Sequence, residues 1–177
     1  MVAIVVILAA TISVFALGFA EDTTEAGPVV GQSSGELMVQ SGYDGGTVRI
    51  THIAGDSIEV ENIEIAVDAR DACGDTARII NLPSDASRFG FDGFADENLQ
   101  YRDNSFISKG NFFSEWDIGV LHEANDNTFK AGTSFEFRIN GGSDDDDCQI
   151  ELGDEVTVRV VHTPTNTVTI EKTLTAS

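Results

Sequence analysis

The sequence predicts an all-β head, an antiparallel β-sandwich of immunoglobulin-like style, carried behind a single hydrophobic N-terminal α-helix. Three observations predict it. An uncharged apolar run fills Met1 to Ala20. Behind it come short stretches of alternating apolar and polar residues, separated by Gly, Pro, Asn and Asp turns. No stretch after the run carries helical periodicity, which leaves packed sheets as the way to bury the apolar faces.

The opening run, MVAIVVILAATISVFALGFA, is closed by Glu21 and Asp22. About 20 helical residues span roughly 30 Å, the thickness of a bilayer's hydrocarbon core. The run is apolar on every face, and such a helix must be buried in lipid or in other protein. Thr11 and Ser13 fit, because their hydroxyls bond back to carbonyls one turn earlier. Three roles compete for it. A cleaved secretory signal would begin with basic residues and carry a shorter apolar core; no Lys or Arg precedes this run. The others are a lone membrane anchor and an assembly element that packs against copies of itself. The small residues Ala3, Ala9, Ala10, Ser13, Ala16, Gly18 and Ala20 favour the last, since small side chains let helix backbones approach closely.

Residues 23–36 read as a flexible linker, with Gly27, Pro28 and Gly31 as its hinge: Pro28 bars a continuing helix, and the glycines and serines supply freedom. The domains expected are therefore a helix over 1–22, a linker over 23–36 and a β head over 37–177. TVRITHI (Thr47 to Ile53) and SIEVENIEIAV (Ser57 to Val67) alternate as strands around the turn Ala54–Asp56, with a phase slip near Glu61 and Asn62 that predicts a bulge. SFEFRI (Ser134 to Ile139) is a third strand. EVTVRVVH (Glu155 to His162) and TVTIEKT (Thr167 to Thr173) form a terminal hairpin turning at Thr163–Asn166. Weaker strands fall near Ala77, Phe106 and Gly119, for a total of seven or eight. Cys73 and Cys148 predict a disulfide, because an even count outside the cytosol favours a bridge; two separate buried thiols are the alternative.

The charge excludes whole classes of function. Thirty acidic residues against ten basic ones give a net charge of -20, so there is no basic footprint for nucleic acid or for anionic headgroups. Self-repulsion on such a surface weakens the folded state at low salt, whereas in molar salt the Debye length shrinks to about 3 Å. The composition therefore fits a halophilic protein, with an ordinary acidic extracellular protein as the alternative.

Catalytic chemistry finds little support. GQSSG (Gly31 to Gly35) has the spacing of a nucleophile elbow, but that motif needs a strand before it and a helix after it. The aspartate run Asp144–Asp147 lacks the alternating ligands and fixed glycine of a calcium loop. His52, His122 and His162 fall singly on separate predicted strands, without metal-ligand spacing. Phe89, Phe91, Phe94 and Trp116 read as packing residues. No enzyme, cofactor or metal site is expected.

These pieces resemble the haloarchaeal type IV pilins. The opening MVAIVVILAATISVFALGFAE is similar to the second half of the family's N-terminal signature. THIAGDSIEVENIEIAVD (Thr51 to Asp68), EWDIG (Glu115 to Gly119), KAGTSF (Lys130 to Phe135) and the closing LGDEVTVRVVHTPTNTVTIEK (Leu152 to Lys172) also resemble the family, while Cys73 to Phe113 matches it poorly. The resemblance implies type IV pilin architecture: N-terminal helices bundled into the core of an extracellular filament, with β heads on its surface serving adhesion or cell contact. It implies self-association as a helical homopolymer, and residence in the cytoplasmic membrane before assembly. A prepilin peptidase, an assembly ATPase and a membrane platform protein are the implied biogenesis partners. The family's processing site is expected ahead of Met1, and the absence of a Gly-Gln opening separates the chain from the related archaellins. A monomeric membrane-anchored surface domain that binds a ligand or protein is the alternative function.

Overall fold

The computed structural model describes residues 26–40, 45–85, 93–102, 106–109, 118–141 and 148–177. The expected helix over 1–22 lies outside these residues. Among the described residues no helix is long and apolar enough to cross a membrane.

Among the described residues ten strands appear in chain order: β1 (Val30–Val39), β2 (Gly46–Gly55), β3 (Ile58–Glu59), β4 (Ile63–Ala69), β5 (Asp75–Ile79), β6 (Leu99–Tyr101), β7 (Thr128–Phe129), β8 (Ser134–Ile139), β9 (Glu155–His162) and β10 (Thr167–Thr175). They form two main antiparallel sheets, ordered β1-β2-β8 and β10-β9-β4-β5-β6, with β3 and β7 as a separate short pair. The strongest elements are those whose alternation is cleanest. Along β4, Ile63, Ile65, Val67 and Ala69 point inwards while Glu64, Ala66 and Asp68 stay half-buried. β8 and β9 repeat the pattern with Phe135, Phe137 and Ile139, and with Val156, Val158 and Val160. A side-chain period of two, with one apolar face, fixes both the strand and its register.

Inward residues of both sheets meet in one hydrophobic core, where Val48, Ile50, Ile65, Phe129, Phe135, Phe137, Val156, Val158 and Val160 are fully buried. Each such side chain stabilises the head by about 1.5–3 kcal/mol against exposure. The two sheets also meet at an edge. Leu37 of β1 forms a parallel bridge with Ala176, beyond β10, and Ser177 donates to Leu37 O at 3.1 Å while Val39 donates to Ser177 O at 3.2 Å. β1 and β10 therefore run the same way. One end of the head carries Val30 against Gly55, Ile63 against His162 and the turn before Thr167; the other carries Val39, Ala69 and Glu155. The first is called the near end, because the chain joins the head there.

Several sequence expectations change. The linker over 23–36 is overturned from Val30 onward, since Val30–Val39 is a ten-residue strand paired with β2. Its inward positions include Ser33 and Gly35, small residues that gave no hydrophobic alternation to read. The bulge expected at Glu61 and Asn62 is a 3-10 turn, Val60–Asn62. It carries the chain from the β3–β7 pair into the larger sheet, which is why the inward phase slips there. The strand expected near Gly119 is a 3-10 turn, Gly119–Leu121, that buries Val120 and Leu121. Near Phe106 there is a single bridge, Ile107 to Ile139. The weak segment near Ala77 is a true strand, β5.

Candidate functional site

The near end is where the N-terminal segment meets the head. Ala3, Ala9, Ala10, Ser13, Ala16, Gly18 and Ala20, the expected packing residues, all lie outside the described residues. The three expected hinge residues are described. Gly31 sits inside β1. Gly27 lies against the β9–β10 turn: a Cβ there would come within 2.7 Å of Thr165 Oγ1 and would also crowd Thr167 Oγ1. Those hydroxyls are hydrogen-bonded to each other at 2.8 Å, and Thr165 Oγ1 lies 2.7 Å from His162 Nδ1, so a side chain at Gly27 would have to break a small network. Pro28 lines, with Ala26, Ile58, Asn62, His162 and Pro164, an open groove of about 470 Å³ beside this contact.

Val29 is held through its backbone. Its N–H donates to Asp56 Oδ2 at 3.0 Å, and its carbonyl accepts from Asp56 N at 2.9 Å. Gly55, next to Asp56, has φ +133°, and a Cβ there would stand 2.5 Å from Val29 O and 2.6 Å from Gly31 N. Only a residue without a side chain combines that φ with so close an approach. The expected hinge residues thus lie beside the head, Gly31 in β1 and Gly27 against Thr165 and Thr167, on either side of Val29, which Asp56 holds.

At the far end Cys73 and Cys148 form a disulfide, with an S–S distance of 2.02 Å and Cα atoms 5.2 Å apart. It ties the turn after β4, where Ala69 O accepts from the amides of Ala72 and Cys73, to the segment leading into β9. Cys148 belongs to the hydrophobic core and Cys73 packs on it.

The residues considered for chemistry are scattered. Ser33 of GQSSG lies within β1, with no strand-to-helix turn to present it. His52 is fully buried in β2, His122 is buried after the Gly119–Leu121 turn, and His162 closes β9. His52 Nε2 lies 3.1 Å from Asp56 O, and its ring meets Phe129 edge-on at 5.3 Å. His122 Nδ1 accepts from Ala124 N at 3.0 Å. Among the described residues no group of His, Cys, Asp or Glu could hold a metal ion. Phe94 is buried in the core; Phe89, Phe91, Trp116 and Asp144–Asp147 lie outside the described residues.

The surface electrostatics are local. Arg49 pairs with Glu136, Arg70 with Asp68, Arg78 with Glu64, Lys109 with Asp96, Lys130 with Asp126 and Arg159 with Glu171. The hydrogen bond from Arg70 holds the Asp68 carboxyl below its ordinary value, and that from Lys130 does the same for Asp126. Burial pushes the Tyr101 phenol up, and its hydroxyl donates to Ile107 O at 2.6 Å. These bases are spent on internal partners, so the acidic excess is left facing solvent.

Comparison with known proteins adds one match, to the N-terminal segment. No curated protein matches the chain. Residues 1–31 match the family model described as archaeal type IV pilin, N-terminal, and that segment ends at the junction, two residues into β1. The front of the chain is therefore similar to the N-terminal domain of the archaeal type IV pilins.

Proposed function

We propose that this chain is the structural subunit of an extracellular archaeal type IV pilus, serving surface adhesion or contact between cells. The observation that carries the proposal is the pilin N-terminal match over residues 1–31, laid over an uncharged run from Met1 to Ala20 and followed by an antiparallel β head. Residues 1–22 form a helix that lies in the cytoplasmic membrane before assembly and in the filament core afterwards. The head is a β-sandwich with its fibre-facing end at Ala26–Val30. A prepilin peptidase, an assembly ATPase and a membrane platform protein act during biogenesis. The role is structural and not catalytic, and the acidic surface suits work in molar salt.

The energetics follow from the solvent on either side of assembly. Taking the run out of water gains tens of kcal/mol at about 25 cal/mol per Å². Moving it from lipid into a fibre core gains almost none of that, because lipid tails are equally apolar. Close packing of Ala3, Ala9, Ala10, Ser13, Ala16, Gly18 and Ala20 then decides whether copies associate. The contact between subunits is heterologous and open, the kind that makes helical fibres. Gly18→Leu or Ala16→Leu should abolish filaments while the head keeps its circular dichroism spectrum and thermal transition. Normal fibres from both variants would sink the packing explanation. Recovery of wild-type chain as small detergent-dependent particles would favour a monomeric anchored surface domain instead.

A further inference from the structure

We propose that His52 and Asp56 are positioning residues that fix the direction in which the N-terminal segment joins the head, so that stem and head are oriented as one body in the filament. The orienting role rests on the pilin reading; the clamp itself does not. Val29 is 66 % exposed, so burial of its side chain cannot be what holds it. Its backbone is held instead, by two bonds to Asp56, one of them to a carboxylate oxygen; bonds to a charged acceptor are about twice as strong as neutral ones. The ladder between β1 and β2 cannot do this work at that point. Its register shifts between Val30 and Gln32 and again between Gln32 and Ser33, so regular pairing begins only beyond the junction.

Asp56 needs a support of its own, since it lies in the turn leaving β2. His52 supplies it. The Asp56 carbonyl can only accept, so His52 Nε2 carries the hydrogen and donates across 3.1 Å. His52 is completely buried, its backbone N–H donates to Thr133 O at 3.0 Å, and its carbonyl accepts from Gly132 N at 2.9 Å. Phe129 closes on the ring at 79° and is itself packed on Phe135. Among the described residues no group pairs with His52 Nδ1, and the polar contact the ring makes there is the bond to the junction turn. A leucine or phenylalanine would fill the same space; the imidazole adds a donor aimed at Asp56. The chain of contacts runs from the core through His52 to Asp56, and from Asp56 to Val29.

The test uses the full chain as wild type, Asp56→Ala, His52→Phe and His52→Gln. Hydrogen exchange at the Val29 and Asp56 amides is read first, then the head's thermal transition, then the order of the heads in helical reconstructions of fibres. Asp56→Ala and His52→Phe should exchange about tenfold faster at Val29, the loss of one charge-assisted or supporting bond, while the head still unfolds cooperatively. Their fibres should form with heads spread in orientation, and His52→Gln, which keeps a donor, should restore both exchange and order. Unchanged exchange in Asp56→Ala and His52→Phe would overturn the clamp. Faster exchange with wild-type head order would overturn the orienting role. Absence of fibres from the wild-type chain would overturn the pilin reading and that role with it. This result is separable from failure of the clamp, because exchange is measured without fibres.

Discussion

Removing the Cys73–Cys148 bridge, as the double variant Cys73→Ala/Cys148→Ala, should lower the head's stability by one of the largest amounts any small change can produce. The bridge closes a loop of 75 residues. Loop-closure entropy puts the penalty on the unfolded chain at about 15 cal/mol/K, hence about 4.5 kcal/mol at 25 °C. In a domain of this size each kcal/mol moves the thermal midpoint by about 2–4 °C, so the midpoint should fall by roughly 9–18 °C. The native side adds little to that sum. The cysteines sit against the core and two alanines fill their place at modest cost, while β4 and β9 remain paired from Ile63–His162 to Asp68–Thr157. The assay is thermal unfolding followed by circular dichroism, on detergent-dissociated full chain in molar salt. A single cooperative transition is needed in both proteins for the midpoints to be compared. A fall of less than about 3 °C would refute the entropy argument, and would mean that the unfolded chain is already confined near this pairing.

Three further outcomes are expected. Diluting salt from molar to about 0.1 M lengthens the Debye screening distance from about 3 to about 10 Å; with a net charge of -20, the thermal midpoint should fall steadily across the titration, and a flat profile would contradict the halophilic reading. Arg159→Ala removes an exposed cross-strand partner of Glu171 and should cost less than about 1 kcal/mol in chemical denaturation. Asp68 has a folded pKa below its ordinary 3.8 because Arg70 hydrogen-bonds it, so its contribution is fully present above 3.8 and is lost as pH falls through the lower folded value. Wild type and Asp68→Asn should therefore differ in midpoint near neutral pH and draw together as the solution is made acid; a difference that grows with acid would have the wrong sign.

What the sequence made legible was whatever had a strong local period. β4, β8 and β9 alternate apolar and polar residues almost without interruption, and the β9–β10 turn at Thr163–Asn166 carries its own Pro and Asn. β1 was hidden for the opposite reason. Ser33 and Gly35 point inwards, where larger residues from neighbouring strands fill the space, so the strand text reads as linker and its partner β2 supplies the order. The slip at Glu61–Asn62 was visible, but whether a bulge or a 3-10 turn produced it depended on β7, about 70 residues away, taking β3 as a partner. The junction was the least legible part. Gly27 and Pro28 carry the ordinary composition of a hinge, and the bonds that hold the neighbouring Val29 come from Asp56, a long-range contact that local composition does not encode. The uncharged, small-residue character of the opening run, in contrast, is plain in the sequence itself, and the burial expected for it falls outside the described residues.

The measurement that bears most directly on the pilin assignment is negative-stain electron microscopy of material sheared from cells in molar salt, with the chain identified in it by mass spectrometry. Thin fibres of uniform width that contain this chain, and that disappear in Gly18→Leu cells, are the expected result. Finding the chain in membrane vesicles with no fibres in the sheared fraction would contradict it, and would make the opening run an anchor for a solitary head.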